Sequence, residues 1–145
     1  MAALFTFEVY TPYRLFFSEK VETVLLTLSD GDAAIYANHS MLSAPVLPCL
    51  LKIKGADGNW KTAFTAEGIL EVSHHKTILL SDDAEWPEEI DRERARAAME
   101  EAEKTLAGGT LSFQTAGAKT SLRRAKMRLR ASEEGKSAAT KPPTG

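Results

Sequence analysis

Two patterns of hydrophobic and polar spacing divide this chain near Trp86-Pro87. Before that point, short apolar runs alternate with turn residues, and the turns recur about every ten residues. After it, the sequence is rich in Ala, Glu and Arg, and its apolar residues recur with the 3.6-residue period of a helix. The two patterns predict an α+β chain with an N-terminal antiparallel β-sandwich followed by a C-terminal two-helix antiparallel hairpin.

The strand predictions rest on alternation of apolar and polar residues, which gives a strand one buried face. Asp57-Gly58 is a strong hairpin signal, and Ser73-His74-His75-Lys76 separates a second pair of strands. Thr11-Pro12 ends the first strand because proline cannot donate to a sheet. The predicted strands are 5–9, 21–28, 50–54, 60–64, 69–72 and 77–80.

The first predicted helix follows Pro87, which a first helical turn tolerates, and ends at Gly108-Gly109. Its apolar stripe consists of Ala95, Ala98, Met99, Ala102 and Leu106. The second predicted helix runs from about residue 116 to residue 132, with a stripe of Ala118, Leu122, Ala125 and Leu129. Residues 134–145 are predicted to be disordered, so the expected units are 1–86, 87–133 and 134–145.

The charges of the two helices differ in sign. The second helix carries six basic residues and no acid among them, namely Lys119, Arg123, Arg124, Lys126, Arg128 and Arg130. The first helix is rich in acids, so we expect the two to be electrostatically complementary. Because an exposed ion pair contributes only a few tenths of a kcal/mol, roughly, such a hairpin can leave its resting position at low cost.

Catalytic chemistry is not indicated by any motif. Metal-ligand spacing, a phosphate-binding glycine loop and a nucleophile elbow are all missing from the sequence. His74-His75 fits a solvated turn, and Cys49 is predicted to be a small buried residue. We therefore expect no enzyme activity, no metal and no required cofactor.

The net charge of −2 argues against nucleic acid as a partner, although the basic helix alone would be compatible with it. No apolar run approaches the ~18 residues of a membrane span, so direct membrane insertion is not expected. Two other classes remain open from the residues alone. One is a free-standing β-sandwich that binds a ligand or protein and carries a helical appendage, and the other is a small hydrolase.

Three segments, in order, carry a resemblance to a known family. They are 31–42 (GDAAIYANHSML), 68–72 (GILEV) with Leu80-Ser81-Asp82 after it, and 90–95 (IDRERA). Together they resemble the epsilon subunit of F-type ATP synthase, over about residues 5–132. The chain has Ala34, Ala37, Asn38 and Glu67 where that family usually has Gly, Pro, Gly and Gly.

The resemblance implies a non-catalytic subunit of the rotor stalk of a proton- or sodium-translocating enzyme. Its sandwich would bind the gamma subunit and the c-ring, with Asp32, His39, Met41 and Leu42 near those contacts. Its helices would lie folded on the sandwich or extend into the alpha/beta hexamer and inhibit ATP hydrolysis, through Arg123, Arg124, Arg128 and Arg130. The expected location is peripheral, on the cytoplasmic face of a bacterial plasma membrane.

Some members of that family bind ATP in the folded hairpin as a latch. The matching residues here are Glu85, Ile90, Asp91, Arg94, Ala95, Arg124 and Arg128, whereas Glu101 stands where those members have an arginine. Arg124 and Arg128 are four residues apart, so they share one helix face. The alternative is that Asp91 and Arg94 form an ordinary pair that stabilises the hairpin.

Overall fold

The computed structural model describes residues 3–108 and 112–137, with side chains for 3–108 and 115–134. Nine strands come first: β1 (Phe5–Tyr10), β2 (Leu15–Leu28), β3 (Gly31–Tyr36), β4 (Leu42–Val46), β5 (Cys49–Gly55), β6 (Trp60–Thr65), β7 (Gly68–Val72), β8 (Thr77–Ser81) and β9 (Ala84–Glu85). A 3-10 turn (Pro87–Glu89) leads into α1 (Arg92–Gly108) and α2 (Ser112–Ser137). The predicted sandwich and two-helix plan are confirmed.

Strand β2 joins the two layers of the sandwich because it is long enough to serve both. Its first half pairs with β1, and its second half pairs with β3 and β5. The strand order is β1-β8-β7-β4-β2-β5-β6-β9, with β3 beside β2. One pairing corrects the expectation of a purely antiparallel sandwich, since β1 and β8 are parallel. Strand β1 is antiparallel to β2, and β8 is antiparallel to β7. No tight turn connects β1 to β8, so the two are free to run parallel.

The core forms from the inward-facing residues of alternating strands, as the period-two pattern predicts. Phe7, Val24, Leu51, Leu70 and Leu79 are each 0% exposed. The buried surface is almost entirely aliphatic and aromatic, so the sandwich is held by packing of its own side chains.

Segment 31–42 lies outside the predicted strands, and the structure corrects this. It contains β3, which pairs with β2, and it ends where β4 begins. Between the two strands Asn38 has a φ of 63°, the left-handed region that asparagine tolerates better than most residues. Asn38 thus takes a conformation that a glycine adopts freely.

Helix α2 is longer than predicted at both ends. It begins at Ser112 rather than near residue 116, and residues 134–137, which we expected to be disordered, are helical. Two ion pairs attach the C-terminal part of the helix, since Glu133 reaches Arg92 at 3.5 Å and Glu134 reaches Lys52 at 3.5 Å. The remainder of the expected tail, 138–145, lies outside the described residues, as does Gly109.

Candidate functional site

The contact between α2 and the sandwich is built on a small apolar cluster. Ala131 is 0% exposed and packs with Phe64, Ala66 and Ile90 on the outer side of β6. Leu50 and Met127 pack at its margin. Because only four residues of this cluster are buried and two of them are alanines, the cluster alone buries a modest area.

Arg124 extends from α2 to the sandwich. Its Nε and Nη2 both lie 2.7 Å from Oε1 of Glu67, which precedes β7. Asp82 lies further away, at 3.8 Å from Nη2. The residue that replaces a small family glycine therefore provides the main anchor for this arginine.

Arg128, one turn along α2, forms the second attachment. Its Nε lies 2.5 Å from Oε1 of Glu85, and its Nη2 lies 2.9 Å from Oδ2 of Asp83. Its guanidinium carbon is 4.5 Å from the ring centroid of Phe64. Arg128 thus combines two ion pairs with a cation–π contact over the apolar cluster.

The four expected inhibitory arginines have different environments. Arg123 donates from Nε to the carbonyl oxygen of Pro48 at 2.7 Å, whereas Arg130 is exposed. The partners of Arg124 and Arg128 are sandwich carboxylates, not the acids of α1 that the charge pattern led us to expect. Between the helices, Arg92 of α1 pairs with Glu133 of α2, which is the reverse of the expected polarity.

The residues matched to a nucleotide site are only partly brought together. Glu85, Ile90 and Arg128 meet around Phe64, and Ala95 is buried. Asp91 instead caps α1, since its Oδ1 accepts a hydrogen bond from the backbone N–H of Arg94 at 3.1 Å. This is a backbone cap rather than the side-chain pair considered as the alternative.

The residues matched to subunit contacts do not form one cluster. Asp32 lies near the start of β3 and accepts a hydrogen bond from Thr27. His39 follows the other end of that strand, and the length of β3 between Asp32 and Tyr36 is about 13 Å. His39 instead lines a cavity of about 200 Å³ with His74 and His75. Leu42 packs against the core, whereas Met41 is 66% exposed.

An exposed apolar row crosses the sheet on the opposite side from the helices. Ile69 and Leu80 lie opposite each other on β7 and β8, and they are 47% and 49% exposed. Pro45 continues the row on β4, and Tyr10 continues it on β1. We call Tyr10, Pro45, Ile69 and Leu80 the outer apolar row. Sequence reasoning missed it because Ile69 and Leu80 were assigned to core strands and the strand that carries Pro45 was not predicted.

A further ion pair joins the sandwich to the turn before α1. Arg14 donates to Glu89 at 2.8 Å and to the carbonyl oxygen of Ala84 at 3.2 Å. The hydrogen bond from Arg14 holds the pKa of the Glu89 carboxyl below its ordinary value of 4.5. Trp86, stacked on Phe16 with centroids 4.5 Å apart, fixes the same junction.

The remaining candidate chemistry concerns Cys49, metal ligands and membrane-spanning helices. Cys49 is 1% exposed, and burial raises the pKa of its thiol, so it is a structural residue. Across the described ranges 3–108 and 112–137, no group of His, Cys, Asp and Glu has metal-binding geometry. Within the same ranges, neither helix combines the length and apolar character that crossing a membrane requires.

Both parts of the chain match known families. Residues 4–87 match the family described as ATP synthase, Delta/Epsilon chain, beta-sandwich domain, and residues 88–133 match its long alpha-helix domain. The chain belongs to the ATP synthase delta/epsilon family. The resemblance seen in the sequence is therefore confirmed.

Relatives named ATP synthase epsilon chain cover most of this chain. The one from Caldicellulosiruptor bescii is 43% identical over 134 residues, covering 92% of this chain and 97% of the relative. The one from Caldanaerobacter subterraneus is 41% identical over 131 residues, covering 90% and 94%. A chain in the cryo-EM structure of Euglena gracilis mitochondrial ATP synthase, at 18% identity, has the same fold with a TM-score of 0.77, covering 92% of this chain and 83% of that one.

Proposed function

We propose that this chain is a non-catalytic subunit of the central rotor stalk of a proton- or sodium-translocating F-type ATP synthase. Its sandwich docks on the gamma subunit and the c-ring, and its helices restrain ATP hydrolysis when they extend into the alpha/beta hexamer. The complex holds it peripherally at the cytoplasmic face of a bacterial plasma membrane. Family membership supports this role, since the relatives are named as subunits of that complex.

The single observation that carries the proposal is the separation of two surfaces on one sandwich. The outer apolar row lies on β1, β8, β7 and β4, whereas α2 packs against β5 and β6. A partner can therefore cover the row while the helices are either docked or released. Exposed apolar rows of this kind are typical of protein contacts.

We assign the gamma subunit to the outer apolar row and to Met41, which directly precedes β4 and is 66% exposed. We assign His39, which lines the cavity beside the turn after β7, to the same partner. Asp32, at the far end of β3, is then left for a basic loop of the c-ring. Leu42 contributes indirectly, by holding β4 against the core.

Regulation of the hairpin by a nucleotide is a second part of the proposal. Glu85, Ile90 and Arg128 converge around Phe64, which supports a role for this region. Arg124 and Arg128 are the side chains suited to contact phosphate, because guanidinium groups bind phosphate oxygens in a bidentate manner.

Co-purification tests the proposed function. The tagged chain, expressed with the other subunits of its ATP synthase, should recover the gamma subunit and the c-ring. Ile69→Asp with Leu80→Asp should reduce that recovery, because both charges would be buried at the contact. The matched control is Lys61→Asp, an exposed position on β6. Recovery of neither partner by the unmodified chain, or equal recovery by the double variant, would contradict the assignment.

A further inference from the structure

We propose that the cavity between the segment before β4 and the turn after β7 binds an acidic side chain of the gamma subunit, and that its histidines gain a proton when that side chain enters. The inference rests on the proposed function, because it gives the gamma contact a chemical partner and a dependence on pH. It adds His74 and His75 to that contact.

Strand pairing brings the walls of this cavity together. Leu42 at the start of β4 pairs with Val72 at the end of β7, so the residues before Leu42 lie beside those that follow Val72. Strand β1 runs parallel to β8, with Phe7 paired to Thr77, which places Phe5 at the same end of the sheet. The cavity has a volume of about 200 Å³. A pocket for a drug-sized ligand has roughly 300–1,000 Å³, so this one fits a smaller group such as a single side chain.

The lining of the cavity contains basic residues and, within the described part of the chain, no acidic one. The chain has three histidines, and all three line this cavity. Acids on the adjoining strands have other partners, since Glu8 of β1 pairs with Lys76 at 3.1 Å and Glu71 of β7 accepts a hydrogen bond from Ser43 at 2.7 Å. The histidines therefore face no carboxylate of their own chain in this cavity. Its titratable lining residues are Tyr36, His39, His74, His75 and Lys76.

The hydrogen bond of His39 determines which state of its ring can bind a carboxylate. Its Nδ1 lies 2.8 Å from the carbonyl oxygen of Ser40, and a carbonyl oxygen only accepts, so Nδ1 carries the hydrogen. In the neutral ring, Nε2 then has a lone pair and no hydrogen. It donates to a carboxylate only after the ring gains a proton, a change that histidine undergoes close to physiological pH. Binding of an acid by His39 is therefore coupled to uptake of a proton.

Exposed apolar side chains adjoin the cavity, which favours a protein as the source of the acid. Tyr36, 57% exposed, lines it, and Leu4 and Met41, 43% and 66% exposed, are the chain neighbours of two other lining residues. A protein surface gains free energy by burying such side chains, whereas a free anion does not cover them. Met41 belongs to the surface assigned to the gamma subunit, so we assign the acid to that subunit.

Calorimetry of the full-length chain with a complex of the alpha, beta and gamma subunits measures this coupling. The dissociation constant should fall about five- to tenfold from pH 8 to pH 6, the difference between a neutral and a charge-assisted hydrogen bond. Two buffers with different heats of ionisation should show proton uptake on binding. An affinity that is independent of pH, or that increases as the pH rises, would overturn the proposal. Loss of binding on addition of EDTA would assign the histidines to a metal ion and would also overturn it.

Variants of the turn after β7 separate charge from structure. His74→Asn with His75→Gln should lose most of the pH dependence, whereas Lys61→Gln, at an exposed position on β6, should retain it. His74→Lys with His75→Lys has a fixed charge, so at pH 8 it should bind about five- to tenfold more tightly than the neutral double variant.

Two results from these variants would overturn the proposal. They are full pH dependence in the neutral double variant, and equal affinity of the neutral and lysine double variants at pH 8. Failure of the unmodified chain to bind at either pH would instead contradict the proposed gamma contact itself.

Discussion

Arg128 of α2 lies over the ring of Phe64 on β6, with 4.5 Å between its guanidinium carbon and the ring centroid. The same guanidinium pairs with Glu85 and Asp83. One side chain therefore covers the apolar cluster and also attaches the helix electrostatically. Loss of this residue should release the helix more than loss of any exposed basic residue nearby.

Arg128→Lys should weaken docking of α2 by about 1–2 kcal/mol, because lysine keeps the charge but loses the planar group that pairs and stacks. The control is Arg130→Lys, at an exposed position two residues on. Amide hydrogen exchange of β6 and α2 measures the difference. Equal protection in the two variants would show that charge alone, and not the planar contact, attaches the helix.

Gly68→Ala should destabilise the sandwich by several kcal/mol, roughly the cost of severe overpacking. A Cβ at Gly68 would lie 1.9 Å from the carbonyl oxygen of Leu80, so β7 and β8 would have to separate. Gly117→Ala is the counterpart within α2, where a Cβ meets nothing within 4 Å. It should stabilise the helix by about 0.5–1 kcal/mol. Thermal unfolding checks both, and a neutral Gly68→Ala would refute the close approach of the strands.

The Arg14–Glu89 pair should make the junction before α1 sensitive to acid. Because the folded pKa of Glu89 is lowered, its contribution is present above the ordinary value of 4.5 and is lost as the pH falls through the lowered value. Chemical denaturation should therefore show Glu89→Gln less stable than the unmodified chain near neutral pH, with the difference disappearing as the pH falls through the lowered pKa of Glu89. Glu88→Gln, exposed beside it, should show no such trend. A difference that is constant with pH would exclude the ion pair as its cause.

The sequence predicted the elements that are determined by residues close together in the chain. The hairpin of β5 and β6 is signalled by Asp57-Gly58 between alternating runs, and the alanine stripes locate the facing sides of α1 and α2. Strand β4 was not predicted, because Pro45 and small residues conceal its alternation. Its pairing with β7 depends on residues more than twenty positions away.

The ion pairs of the candidate site could not be found from the sequence, because their partners are distant in the chain. Glu67 meets Arg124 across 57 positions, and Glu85 meets Arg128 across 43. The helix charges alone pointed to pairing between α1 and α2. The packing of α2 on the sandwich, with Ala131 against Phe64, places the arginines beside the sandwich acids instead.

The central claim is that the helices of this chain control ATP hydrolysis while the sandwich docks independently. The direct measurement is the ATP hydrolysis rate of the assembled complex containing either the full chain or residues 1–86. That truncation retains Trp86, which stacks on Phe16 and packs against the core. We predict that the truncated chain still assembles and that its complex hydrolyses ATP faster than the intact one. Equal rates from fully assembled complexes would contradict the account.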